Sequence, residues 1–372
     1  MIIKMTWVVT YWGRCLSRLG AGWKALCQFF SNLSKPFRVA IRNIFLLTGW
    51  LFTTAATLVA QDVHFFRIAT GSVGTTFFPL GGVIATAISN PAGARGCEQG
   101  GNCGVPGLVA VAQTTQGSVL NVMAVATQQF ESGLSQADVA LWAFRAEHIF
   151  KGKTPLENLR VIASLYQESL HVVVAADSPI RNIQQLIGKR ISLGEKDSGT
   201  NATALAVLEA YGIDDKKANF SNDNLRSALE SLRGGSLDAI FVVGSYPLPA
   251  LVDYTQTASI RLLQIDGEGA TILRQKYPFL GIDVIPEGSY RDVNNAVTLG
   301  ISTLWVTSAE VPDDLIYKIT RALWNTTTKK LTDSNNPIVR RMRFETALSG
   351  IPIPIHPGAA KFYSELEKTN PQ

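Results

Sequence analysis

Apolar positions along residues 63–372 switch repeatedly between strand-like and helix-like spacing. Residues 65–70 read as a short strand and 71–76 as a turn. From Phe77 to Ile88 the spacing becomes helical, with Pro79 tolerable only in a first turn. Residues 108–113 give the next strand, and Gly117-Ser118 opens a helix whose buried stripe is Val119, Leu120, Met123 and Ala124. Residues 138–143 read as a third strand. Residues 161–176, rich in Val and Ile, read as a pair of strands or one long crossing. A strand at 190–193 leads through a loop at 194–200 to a helix at 202–211, which Gly212 stops. Leu225, Ala228, Leu229 and Leu232 mark a further helix, ended by Gly234-Gly235. Residues 237–243, 260–265 and 296–307 read as strands. Pro312-Asp313-Asp314 opens a helix with Leu315, Ile316, Ile319 and Leu323 on one face.

This alternation predicts an α/β fold with mainly parallel sheets. There is no internal repeat and no Pro- or Gly-rich linker. The two domains expected for this length are therefore discontinuous, with the β runs near 161–176 and 296–307 as the crossings. The expected division is a leader at 1–60, one lobe from 62–172 plus 299–372, and a second lobe at 173–298.

Charge matters only for the leader. Residues 1–60 hold seven basic residues and no acid; the remainder carries 27 Lys and Arg against 29 Asp and Glu, a net of −2. The overall +5 is thus no sign of nucleic-acid binding. Lys35, Arg38 and Arg42 precede an uncharged h-region at 43–60 that ends in small residues, the pattern of a secretory signal. An uncleaved membrane anchor is the alternative. Residues 1–34 exceed what a signal needs and are read as a translation start placed too far upstream, or as an interfacial helix. Cys15 and Cys27 lie in this leader. Cys97 and Cys103, six positions apart in a Gly-rich loop, read as a disulfide in an exported chain. A metal site is the weaker option, because no His is near.

Enzyme signatures are missing: there is no Gly-x-Ser-x-Gly elbow, Walker loop or His-Glu-x-x-His, and the four His have no ligand spacing. His171, in an apolar strand, is a core or hinge histidine on one reading and a ligand contact on the other. The chemistry instead points to three strand-to-helix turns: Ser72 to Thr76; Ser118 with Asn121; and Ser198-Gly199-Thr200-Asn201. Each offers hydroxyls and the free N–H groups of a first helical turn, an arrangement that binds carboxylate or phosphate. N-capping alone would explain any one of them. A dipole contact contributes about 0.3–2 kcal/mol, whereas micromolar binding needs about 8 kcal/mol, so several turns must share one enclosed ligand.

The segments IATGSVGTTFFPLG (68–81), TQGSVLN (115–121), ASLYQESLHVVV (163–174), LIGKRISLG (186–194), SGT (198–200), GSLDAIF (235–241), IPEGSY (285–290) and HPGA (356–359) occur in an order that resembles the TAXI-type solute receptors of TRAP transporters. The resemblance implies a two-lobed, type II-like periplasmic binding protein, exported and possessing no cofactor or catalytic activity. Such a receptor captures a small organic anion, such as glutamate, 2-oxoglutarate or a related dicarboxylate, and delivers it to TRAP membrane subunits. It also implies a disulfide loop at Cys97 and Cys103. With the turn chemistry, it nominates as ligand-binding Ser72, Gly74, Thr75, Thr76, Ser118, Asn121, Gln167, His171, Ser198, Gly199, Thr200, Asn201 and Tyr246. Arg67, Arg145 and Arg261 are candidate carboxylate clamps. A membrane-tethered ligand sensor with the same fold is the alternative function.

Overall fold

The computed structural model describes residues 63–332 and 339–369; the leader at 1–60, with its h-region and Cys15 and Cys27, lies outside the described residues. In chain order the first elements are β1 (His64–Ala69), α1 (Phe77–Ile88), β2 (Ser89–Asn90), β3 (Val105–Pro106), β4 (Leu108–Gln113), α2 (Ser118–Ala126), β5 (Ser132–Gln136) and α3 (Ala137–Arg145). A long strand, β6 (Leu159–Ala175), leads to β7 (Arg190–Ser192), α4 (Gly199–Ala210), β8 (Asn219–Ser221), α5 (Leu225–Arg233), β9 (Ala239–Gly244), α6 (Pro249–Thr255), β10 (Ile260–Leu262), α7 (Gly267–Lys276) and β11 (Gly281–Ile285). A second long strand, β12 (Ala296–Ser308), precedes α8 (Asp313–Leu323), α9 (Thr326–Thr332) and α10 (Pro357–Thr369).

The result is a mixed α/β fold around one sheet of order β4-β1-β5-β12-β6-β9-β7-β8, with β10 on β6 and β11 on β12. Parallel pairing groups β4, β1 and β5 at one end and β9, β7 and β8 at the other. Two antiparallel strands, β12 and β6, join these halves. β6 is 17 residues long because it serves both: Leu159 to Ser169 pair with β12, and Ser169 to Val173 pair with β9. The stretch at 161–176 is therefore one strand. Its many apolar residues fit burial on both faces, broken at the exposed Gln167.

The expected strand at 138–143 is instead the heart of α3; the third strand is β5, just before it. Residues 132–143 are buried throughout, so no polar face marks where a period of two gives way to 3.6. Cys97 and Cys103 are disulfide-bonded, closing the Gly-rich loop beside the short β2–β3 pair.

One apolar layer packs α1, α8 and α10 against the first half of the sheet, with Leu80, Ile84, Ile316, Ile319 and Phe362 among its members. At its centre Trp305 of β12 is fully buried and meets Phe66 of β1 edge-on, with ring centroids 6.4 Å apart. Replacing Trp305 with Ala should therefore lower unfolding stability by about 3–5 kcal/mol, read as a lower urea midpoint in denaturation of the full chain.

Candidate ligand-binding site

The turn between β1 and α1 is closed by its own residues. Ser72 O accepts hydrogen bonds from Thr75 N at 3.1 Å and from Thr75 Oγ1 at 2.8 Å. The turn before α2 depends on Gly117, whose φ of 118° a side chain would resist. Asn121, one turn into α2, fixes this region: its Nδ2 donates to Thr70 O at 2.6 Å and to Leu134 O at 2.7 Å, and its Oδ1 accepts from Thr115 Oγ1 at 2.6 Å. In the other half, Ser198 caps α4 by accepting from Asn201 N at 3.1 Å. Thr200 Oγ1 accepts from Val243 N at 3.0 Å, which ties α4 to β9.

These turns face one another. Leu120 N in the first turn of α2 donates to Asp197 O, just ahead of α4, at 3.3 Å. A Cβ on Gly199 would stand 1.6 Å from Gln136 Oε1 and 2.6 Å from Ser118 Oγ, so only glycine allows this approach. Ser72 Oγ also donates across the seam, to the Glu195 carboxylate. The N-termini of α1, α2 and α4 thus converge on one cavity. It is lined by Gly71, Ser72, Thr75, Thr76 and Phe77 from the first turn, and by Gln116, Gly117 and Ser118 from the second. Gln136, Glu168, Gly199, Thr200 and Val243 complete it. Thr75, Thr200 and Val243 also border a second chamber walled largely by Leu225, Ala228, Ile240, Phe241, Val242 and Leu248.

Two buried acids stand around this cavity. Glu168 of β6 accepts hydroxyl hydrogen bonds from Thr76 and, at 3.1 Å, from Tyr166, and burial pushes its carboxyl up to about 7. Asp138 of α3 accepts from Thr203 Oγ1 of α4 at 2.6 Å, while Thr203 Oγ1 accepts from Gln136 Nε2 at 2.9 Å. Burial raises Asp138 to about 6. Among the described residues no Lys, Arg or His lines either chamber. The positive potential there comes from helix ends, whose first N–H groups have no intrahelical acceptor.

Residues 68–366 match the model of the NMT1-like family. The chain belongs to the NMT1-like family. Its structure is also similar to that of malate-bound MatC from Rhodopseudomonas palustris, at 10% identity and a TM-score of 0.49, over 82% of this chain and 96% of that one. The periplasmic binding protein BugD is similar at 11% identity and a TM-score of 0.47, over 82% and 97%. The periplasmic aliphatic sulphonate binding protein SsuA from Escherichia coli is similar at 13% identity and a TM-score of 0.39, over 82% and 78%.

Within this NMT1-like chain, Ser72, Thr75, Thr76, Ser118, Gly199 and Thr200 are brought together at the first cavity, and Ser198 borders the second. The other nominated residues lie off the lining. Gly74 sits at the open tip of its turn, Asn121 has its side chain committed to backbone, and Asn201 serves α4 through its amide. Gln167 is exposed, because neighbours on a strand point to opposite faces. His171 is fully buried: its Nδ1 donates to Ser169 O at 3.0 Å, so Nε2 accepts from Tyr290 OH at 2.8 Å, and burial lowers it to about 4. Tyr246 lies under the Arg341 guanidinium, 4.3 Å from ring centroid to Cζ.

None of the three candidate clamps lines either chamber. Arg67 is bound to Glu131 at 2.7 Å, Arg145 stands 3.9 Å from Glu147, and Arg261 donates to backbone carbonyls of residues 176, 178 and 180. Gln136 and Glu168 were not nominated. Glu168 did carry a signal, being the one acid in a long strand rich in apolar residues. Among the described residues no group of three or more His, Cys, Asp or Glu could hold a metal, and no helix is long and apolar enough to cross a membrane.

Asp138 gives a pH test. Its carboxyl binds a proton more readily in the fold, at about 6, than at the ordinary 3.8. Its contribution to stability therefore falls as pH rises between these values and levels off above them. His171 contributes with the opposite sign, but it is common to wild type and variant. An Asp138→Asn variant should gain on wild type, on the order of 2–3 kcal/mol between pH 4 and pH 6, in urea melts at stepped pH.

Proposed function

We propose that the chain is an extracytoplasmic solute-binding receptor of the TAXI type, which encloses a small organic acid and hands it to TRAP-type membrane subunits. The observation that carries this reading is the convergence of three helix N-termini, from both halves of the sheet, on one cavity. Two of these helix ends, those of α2 and α4, abut without a side-chain cation or anion between them. Each end carries about half a positive charge, so the pair is at ease only with an anion in the cavity. A carboxylate fits there, with amides of the first turns and the hydroxyls of Ser118 and Thr200 as donors, since both oxygens only accept within the chain. The ligand class on this reading runs from amino acids such as glutamate to 2-oxoglutarate and dicarboxylates.

The working cycle follows from the strand pattern. Residues 62–172 with 299–372 form one lobe and 173–298 the other, with β6 and β12 as the hinge. Ligand favours the closed form only through contacts made when both lobes reach it. Binding of this kind asks for no acid–base or nucleophilic pair, and the reading is one of capture without turnover.

The first experiment is a thermal-shift panel of glutamate, 2-oxoglutarate, succinate, fumarate and neutral amino acids on the full chain. A ligand at a hundredfold excess over its Kd adds about 2.7 kcal/mol of stability, and one class of acid should raise the melting point clearly. No shift with any acid would overturn the reading. Gly199→Ala should weaken the ligand found by about tenfold or more, because the added methyl group collides with Gln136 and Ser118 and holds the seam open.

A further inference from the structure

We propose that Glu168 is the specificity-determining residue of the cavity and reads an ammonium group, so that the solute is a zwitterionic α-amino acid with an uncharged side chain. This rests on the receptor reading above and narrows it. Three observations carry it, each from a different part of the site.

First, Glu168 is the only charged side chain lining the first cavity, and it is 2% exposed. It accepts hydrogen bonds from the neutral hydroxyls of Thr76 and Tyr166, with the Thr303 hydroxyl also close to it. A carboxylate removed from water without a cation is costly, and the ordinary remedy is a positive partner. Among the described residues none supplies one at the cavity lining. An ammonium group on the ligand would.

Second, the helix ends and Glu168 border the same cavity. An α-amino acid presents a carboxylate and an ammonium group on one carbon, and so can meet both at once. A 2-oxo acid meets the helix ends but brings only a carbonyl acceptor to Glu168, which leaves acceptor facing acceptor.

Third, the adjoining chamber suits an apolar side chain and repels a second acid. Its walls include Leu225, Ala228, Ile240 and Leu248, and its two charged lining residues, Glu195 and Asp223, are both acids. A dicarboxylate would place its second charge against them with no cation to hold it.

The groups facing Glu168 set how binding should respond to pH. Tyr166 is on its own strand, and Asp138 approaches from α3 and disfavours its ionisation. Glu195 stands at the cavity mouth, where it accepts from Ser72. On β12, Ile301 is in register beside it and Thr303 beside Tyr166, and neither titrates in this range. His171, three residues along β6, is turned to Tyr290. Ammonium binding needs the ionised carboxylate, which burial disfavours up to about pH 7. Affinity for an amino acid should therefore rise from pH 6 to pH 8.

The test is titration calorimetry on the full chain. It compares each apolar α-amino acid with its 2-oxo twin, and glutamate with 2-oxoglutarate and succinate, at pH 6 and pH 8. The inference expects one apolar amino acid to bind at least about tenfold more tightly than its oxo twin, more tightly at pH 8, and to lose that preference in Glu168→Gln. If an oxo acid or a dicarboxylate binds as well as the amino acids, or better as pH falls, Glu168 acts as a neutral donor to carboxylate. The inference then fails while the receptor reading stands. If no acid binds at either pH, both fail. Should Glu168→Gln not fold, the wild-type comparison of twins and its pH slope decide alone.

Discussion

The antiparallel pairing of β6 with β12 constrains everything else in the molecule. Both strands are long enough to outlast their shared ladder, so each carries extra partners past its end, β9 and β10 on β6 and β11 on β12, while β5 pairs with the same stretch of β12 that β6 does. Two parallel groups of strands are thereby held in one sheet, without a flexible linker. Each group directs helix N-termini beyond the carboxyl ends of its strands, where open α/β sheets place their ligand sites. Because the groups lie on either side of the paired strands, α1 and α2 from one meet α4 from the other. Glu168 sits on β6 within the paired stretch, one residue before the ladder passes to β9. A charge there reaches the seam and belongs to neither group alone.

Electrostatically the seam is unusual in what it omits. Abutting helix ends raise the local potential, and the lining side chains that carry charge are acids, with none of the candidate arginines among them. Arg67 and Arg261 are spent on structure, one bridging to Glu131 and the other satisfying carbonyls near residues 176–180. The Gln136–Thr203–Asp138 chain adds a hydrogen-bonded link between halves that needs no ligand. A buried link of this kind fixes relative position as well as contributing energy, since each of its groups would be left unpaired by a shift of an ångström or two.

The alternation of strands and helices was plain in the sequence because most elements have one wet face. It failed at residues 138–143, where burial on all sides erases the contrast that periodicity needs. The three polar turns were legible because Gly, Ser and Thr there answer to local backbone chemistry. What they reach was not. Gln136 and Glu168 arrive from strands far away in sequence, and single-chain spacing holds no information on such neighbours. Choosing between Gln167 and Glu168 needed only the facing of one strand, a binary question whose answer depends on what the partner strands bury. Asn121 shows the opposite error: a polar residue beside a site, wholly consumed by holding its own turn together.

The order of synthesis gives β12 a further meaning. Residues 300–308 fill the slot between β5 and β6, and they emerge after more than 130 residues of intervening chain. Until they arrive, β5 has an open edge of unpaired amides and carbonyls, and Trp305 has not covered Phe66. The early half thus cannot close on itself while the later one is still being made. Such long-range pairing folds slowly. A nascent chain built this way keeps that edge open for most of its elongation.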